Sequence, residues 1–300
     1  MEAANPRCSD WARQLRLDPV GSIGSYAGFL LLEWPLPWPA DFADIPELVG
    51  IVSMIDGSGL RLQGVVPVDG RRRATLYSLP TSGPFSGYRG TTTDFDAKDP
   101  RGLEAAVGQL MAGGGRDVGG TPLVLVCTHG RRDTCCGTLG TALTTELAAA
   151  GDGEDGVWRR TSHTGGHRFA PTAIVLPEGT AWAYADAEML RRVIGRRGAL
   201  EPLLDRYRGC AGLGSPQIQA LERAVLGEVG WELLGLPRRG AHLEGDAVRL
   251  EVSSPDGSLR AWEATVQVRR TLSLPECRAP GGTGKPIVEW GLGEVVRSRV

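Results

Sequence analysis

The chain has 300 residues, of which 33 are basic and 35 acidic, for a net charge of −2; that balance argues against a general binder of polyanions. With 41% hydrophobic and 23% charged residues the composition is that of an ordinary globular chain, long enough for about two domains. Glycine is the one surplus, at 43 residues with no repeat period, which excludes collagen-like and low-complexity chains and points to many turns. No run approaches the ~18 apolar residues of a membrane span. The start MEAANPRCSDWARQ has neither the basic nor the apolar region of a secretory signal. A cytoplasmic protein with reduced thiols and no membrane or nucleic-acid partner is therefore expected.

Residues 1–25 show no period and read as an irregular lead-in. Residues 28–34 read as a buried strand, stopped by Pro35, Pro37 and Pro39. A short helix suits 45–54, and strands suit 60–68 and 73–79 on either side of Asp69-Gly70. Asp99-Pro100 caps and opens a helix that ends at Gly113-Gly114-Gly115. A second unit starts with the apolar strand 122–126, followed by a helix over 140–150, a strand over 157–161, a hairpin around Pro177-Glu178-Gly179 and a helix over 187–194. That β-α-β-β-β-α order is compatible with a thioredoxin-like domain. A further helix suits 216–234. From about 240 the pattern alternates, with a hairpin signal at Pro255-Asp256-Gly257. The expected class is thus α/β (α+β): a smaller α/β unit over 1–118, a thioredoxin-like domain over 119–238 and a β-rich appendage over 239–300. No internal repeat is evident in the sequence.

Three of the six cysteines and three of the four histidines fall between residues 127 and 167. Cys127 ends a buried strand, and Cys136 follows after a loop of eight residues. His163 and His167 have three residues between them, including Gly165-Gly166, which favours a loop over a helix. Clustered cytosolic cysteines are more often metal-binding or catalytic than stapling. Two thiolates and two imidazoles suit tetrahedral zinc, and equally a [2Fe–2S] cluster in which histidines replace two cysteines. The spacing matches no common zinc-finger pattern.

CTHGRRDTCCG, followed by SHTGGHRFAPTAIVLPEG, resembles the sucrase/ferredoxin-like family, a branch of the thioredoxin-like ferredoxins; the early stretch GFLLLEWPLPWP resembles it too. The resemblance implies a [2Fe–2S] cluster held by Cys127 and Cys136 and by His163 and His167. It favours Cys136 over its neighbour Cys135, which is left as a packing residue or spare thiol. It also implies a one-electron carrier, served by a reductase or electron-acceptor protein, with a Rieske-like potential coupled to protons, and a carrier rather than a stand-alone enzyme. His129 matches no ligand position and suits a loop-capping role. Arg131, Arg132, Asp133 and Arg168 suit hydrogen bonds around the cluster or a docking surface. Two rival readings are a thiol oxidoreductase using Cys135 and Cys136, which lacks the CxxC spacing, and a zinc-stabilised interaction protein. Cys8, Cys210 and Cys277 read as scattered structural residues. No carboxylate pair stands out for glycoside hydrolysis.

Overall fold

In the computed structural model, which describes residues 7–96, 98–151, 157–274, 276–277 and 284–298, the lead-in already contains a helix, α1 (Cys8–Gln14). Asp10 caps its start by accepting the Arg7 N–H at 3.1 Å. Only Cys8, Ser9 and Ala12 are buried, a face too small to register as apolar periodicity, which is why an irregular segment was expected there. The next elements follow the sequence closely. β1 (Gly28–Glu33) is buried along its whole length, and α2 (Val49–Ile55) continues a 3-10 turn opened by Pro46. β2 (Leu60–Val65), β3 (Arg73–Ser78) and β4 (Arg89–Asp94) come next. α3 (Pro100–Met111) is capped by Asp99, which accepts the Arg101 N–H at 3.0 Å. β5 (Arg116–Asp117) is a two-residue edge strand.

The second run comprises β6 (Leu123–Cys127), α4 (Thr141–Ala149), β7 (Trp158–Thr161), β8 (Ala173–Leu176), β9 (Thr180–Trp182) and α5 (Ala187–Gly195). A single π-helical turn, Cys136–Gly140, leads into α4. Two elements have no sequence-level signal, α6 (Glu201–Leu204) and β10 (Tyr207–Cys210). α7 (Pro216–Val229) starts with Pro at its first position and the Ser215 hydroxyl on the Ile218 N–H.

These strands form one ten-stranded sheet in the order β10-β9-β8-β6-β7-β2-β1-β3-β4-β5. β6 runs parallel to β7 and antiparallel to β8, which pairs antiparallel with β9. β1 runs parallel to β2 and antiparallel to β3, which pairs antiparallel with β4. Each half is therefore the same β-α-β-β-β-α unit, with its first strand between its second and third. The sequence shows no repeat, but the topology does. The halves meet through their second strands, β2 and β7, which pair antiparallel at Val65 and Thr161. Backbone bonds from Ser162 N–H to Gly64 O (2.8 Å) and Val66 N–H to Arg160 O (3.0 Å) extend that seam.

The β-rich end holds β11 (Arg238–His242), β12 (Ala247–Ser253), β13 (Leu259–Ser273), β14 (Pro286–Leu292) and β15 (Val296–Ser298). They run β11-β12-β13-β14, with β15 also on β13. The alternation along β12 buries Val248, Leu250 and Val252, which share a core with Ile218, Leu221 and Val225 of α7. Beneath them the Arg238 guanidinium donates to Glu222 at 2.9 Å, and the Tyr207 hydroxyl donates to the other Glu222 oxygen at 2.8 Å. This buried network ties β11, α7 and β10 together.

Candidate metal centre

β6 and β7 are parallel neighbours, with Cys127 beside Thr161 in register, so the loops that follow them leave the sheet from one end. The loop after β6 doubles back into the π-helical turn and brings Cys136 to Cys127. That fold depends on glycines: a Cβ on Gly137 would stand 2.4 Å from the Gly130 Cα, and one on Gly140 would stand 1.9 Å from the Cys127 carbonyl oxygen. The loop after β7 supplies His163, then turns through Gly165 and Gly166 at φ 79° and 69°. That is left-handed backbone, which favours glycine. His167 opens a 3-10 turn, His167–Phe169.

The donor atoms of Cys127, Cys136 and His163 lie within 4.8 Å of one another. His167 is not in that group. Its ring centroid is 6.2 Å from that of His163, and its Nδ1 lies 3.2 Å from the Cys8 Sγ. Asp133 links the two imidazoles, with Oδ2 3.0 Å from His163 Nδ1 and Oδ1 3.2 Å from His167 Nδ1. The first of these contacts is off the line of a hydrogen bond, leaving the buried His163 Nδ1 without an aligned partner among the described residues.

The first half of the sheet steadies these loops across the seam. The buried Gln63 amide donates to the Ser162 carbonyl at 2.7 Å and to its hydroxyl at 2.8 Å. Arg61 donates to the His163 carbonyl. His129 lies 2.8 Å through Nε2 from the Pro39 carbonyl and edge-on to Trp38 at 5.6 Å. Since a carbonyl only accepts, Nε2 carries the proton, and burial holds the His129 pKa below its ordinary value.

The charges of the group are interlocked. Burial works to raise the Cys127 pKa, but hydrogen bonds with Cys136 and His163 outweigh it and hold the thiol well below its usual range. Cys136 is pushed up by the hydrogen bond with Cys127 and by burial. Burial disfavours His163 as a cation, yet Asp133 and Cys127 outweigh that and raise its pKa. Asp133 is held below the ordinary carboxylate value, burial being overcome by His163 and His167. Against the histidine loop lies the fully buried Arg208 guanidinium, where a Gly166 Cβ would meet NH2 at 2.3 Å. Burial lowers its pKa to about 10. Nε and NH2 are bound to Ser22, while NH1 has no partner among the described residues.

The other cysteines sort differently from the sequence reading. Cys135 faces Cys8 and Cys277 rather than Cys136's partner Cys127. Cys8 and Cys277 are therefore not scattered, because the fold gathers both with Cys135. Sequence separations of 127, 269 and 142 residues hid that grouping. Only Cys210 stands apart, buried and donating to the Glu178 carbonyl at 3.3 Å. Arg132 pairs with Asp41 at 2.8 Å on the surface. Arg168 is buried and holds Glu276 at 3.1 Å and the Lys285 carbonyl at 3.2 Å.

A family model described as sucrase/ferredoxin-like matches residues 19–209, more than half of the chain. The chain belongs to the sucrase/ferredoxin-like family. No curated protein and no solved structure matches it. The segment that matches the sucrase/ferredoxin-like model covers both halves of the large sheet from β1 to β9 and includes Cys127, Cys136, His163 and His167. Cys8 and Cys277 lie outside it. The Cys/His groups can hold a metal ion. Among the described residues, no helix is long and apolar enough to cross a membrane.

Proposed function

We propose that this sucrase/ferredoxin-like chain is a cytoplasmic one-electron carrier that holds a [2Fe–2S] cluster through Cys127, Cys136, His163 and His167. The observation that carries the reading is the convergence of two buried thiols and the His163 imidazole at the shared end of β6 and β7, with the Asp133 carboxylate lying between that ring and His167. The donors fit that group. Cys127 and Cys136 would supply the two thiolates and His163 and His167 the two imidazoles, with Asp133 oxygens 3.0 Å and 3.2 Å from the two Nδ1 atoms. The buried Arg208 guanidinium, whose NH1 has no partner among the described residues, would place a positive charge beside an anionic centre.

When bound, such a cluster supplies one-electron transfer at a potential raised by replacing two thiolates with neutral imidazoles. The chain's own residues determine how that electron is reached. The two cysteines are fully buried, whereas the His163 side chain keeps 21% of its surface exposed. It borders a cleft of about 320 Å³ shared with Asp41, Arg61 and Arg132. Exchange with a redox partner protein therefore runs through the histidine side. An imidazole that gains or loses its proton with the charge of the centre links the potential to pH.

An anaerobic preparation tests this through visible and EPR spectra with iron and sulfide counts. Cys127→Ala and Cys136→Ala are expected to lose the chromophore, Cys135→Ala to keep it, and His163→Cys to lower the potential. A reconstituted protein with one zinc and neither iron nor sulfide would sink the reading. Loss of the chromophore in Cys135→Ala but not in Cys136→Ala would move the ligand by one residue. A potential constant from mildly acidic to strongly alkaline pH would remove the proton coupling.

A further inference from the structure

Three thiols outside that ligand set meet at one point. Cys8 is the first residue of α1, Cys135 precedes the π-helical turn, and Cys277 follows β13. Their sulfurs are 3.2 Å (Cys8 to Cys135), 3.1 Å (Cys8 to Cys277) and 2.9 Å (Cys135 to Cys277) apart. Cys8 and Cys135 are buried, Cys277 is half-buried, and none is in a disulfide. A disulfide would pair only two of the three and strand the third.

The spacing suits a single soft cation. Three thiolates on one tetrahedral zinc at about 2.3 Å stand about 3.8 Å from one another, so each sulfur here moves outward by only about 0.4 Å. Thiolates that each bind a separate iron of a cluster stand farther apart than that, so a lone ion fits where a second cluster does not. The surroundings hold the group in place. The Ser9 hydroxyl donates to the Cys135 Sγ at 3.4 Å, and Arg168 holds Glu276, the neighbour of Cys277, at 3.1 Å.

We propose that Cys8, Cys135 and Cys277 hold one zinc ion. Binding exchanges three thiol protons for the divalent ion. The ion clasps α1 and the β13–β14 connection to the turn that carries Cys136. It also adjoins the proposed cluster, because His167 Nδ1 is 3.2 Å from the Cys8 Sγ.

The site stands independently of the iron reading, and the experiment separates the two. Zinc, iron and sulfide are counted on the full chain expressed with both metals, for the wild type, Cys8→Ser and Cys277→Ser. The expected result is that each variant carries one zinc per chain fewer than the wild type, with iron and sulfide unchanged. If the wild type lacks iron but the variants still lose one zinc, the cluster fails and this site stands. Zinc content equal in all three proteins overturns the proposal. So does loss of iron instead of zinc, or a mass spectrum of the alkylated wild type showing a disulfide among the three. Should the serine variants not fold, X-ray absorption at the zinc edge of the wild type decides. Three sulfur neighbours at about 2.3 Å support the site, and one or none overturns it.

Discussion

Gly140 offers the sharpest test of how the backbone holds Cys136 against Cys127. Its backbone is ordinary right-handed helix, at φ −68° and ψ −37°, so helix propensity alone would have Gly140→Ala stabilise by about 1 kcal/mol. The structure reverses that sign. The new Cβ would sit 1.9 Å from the Cys127 carbonyl oxygen, about 1.5 Å inside ordinary contact. The oxygen belongs to a strand with neighbours on both sides and cannot yield, so the π-helical turn must back away and take Cys136 with it. Overpacking of this kind costs about 3 kcal/mol, for a net loss of about 2 kcal/mol. Gly108→Ala is the matched control: also helical, it meets only the Met54 Cε at 3.7 Å and should gain about 0.5–1 kcal/mol. Urea unfolding of both variants, with metal counts on each, checks the pair. The reasoning fails if Gly140→Ala is as stable as the wild type with its full metal complement, or if both variants shift the same way.

Three further outcomes follow from contacts elsewhere. Arg238→Met removes one partner of an ion pair whose side chains are both fully buried and should cost about 3–5 kcal/mol in urea unfolding; a loss below 1 kcal/mol would show the pair to be dispensable. Gln63→Leu removes two hydrogen bonds that hold Ser162 across the seam. It should cost about 1–3 kcal/mol and speed metal loss to a chelator, whereas an unchanged release rate would mean that the histidine loop stands unaided. Asp186 caps α5 through the Met189 N–H at 2.8 Å and pairs with Arg206 at 2.5 Å. Burial opposes ionisation there, but those contacts hold its pKa below the usual 3.8. Because the folded pKa is lowered, the stabilisation is complete above the unfolded value and fades as pH falls through the folded one. Asp186→Ala should therefore lose about 1 kcal/mol at neutral pH and converge on the wild type in acid; a gap independent of pH would remove the carboxylate from the account.

Local signals made most of the large sheet legible. β1 and β6 are continuous apolar runs, α3 has Asp99 and Pro100 at its start, and β12 alternates cleanly. α1, α6 and β10 escaped because each is four to seven residues long, too short for a period to stand out. The pairing of β2 with β7 could not be read either, since a seam between halves leaves no mark on spacing. At the metal centre, Cys127, Cys136 and His163 were visible because they crowd one stretch of chain. The Cys8, Cys135 and Cys277 group was invisible for the opposite reason. Its members come from both ends and the middle of the chain, and only the return of β13 toward α1 unites them. The doubled Cys135-Cys136 was the one local hint, and its meaning depends on adjacent residues facing two different groups.

The seam between β2 and β7 also bears on any attempt to shorten the protein. A fragment beginning near residue 119 would keep every proposed cluster ligand, yet it would strip β7 of the partner that occupies its outer side. Bare strand edges recruit other strands, and this one lies beside the histidine loop. Such a fragment should self-associate through the very surface a redox partner would need, so the first half serves as the permanent occupant of an otherwise adhesive edge.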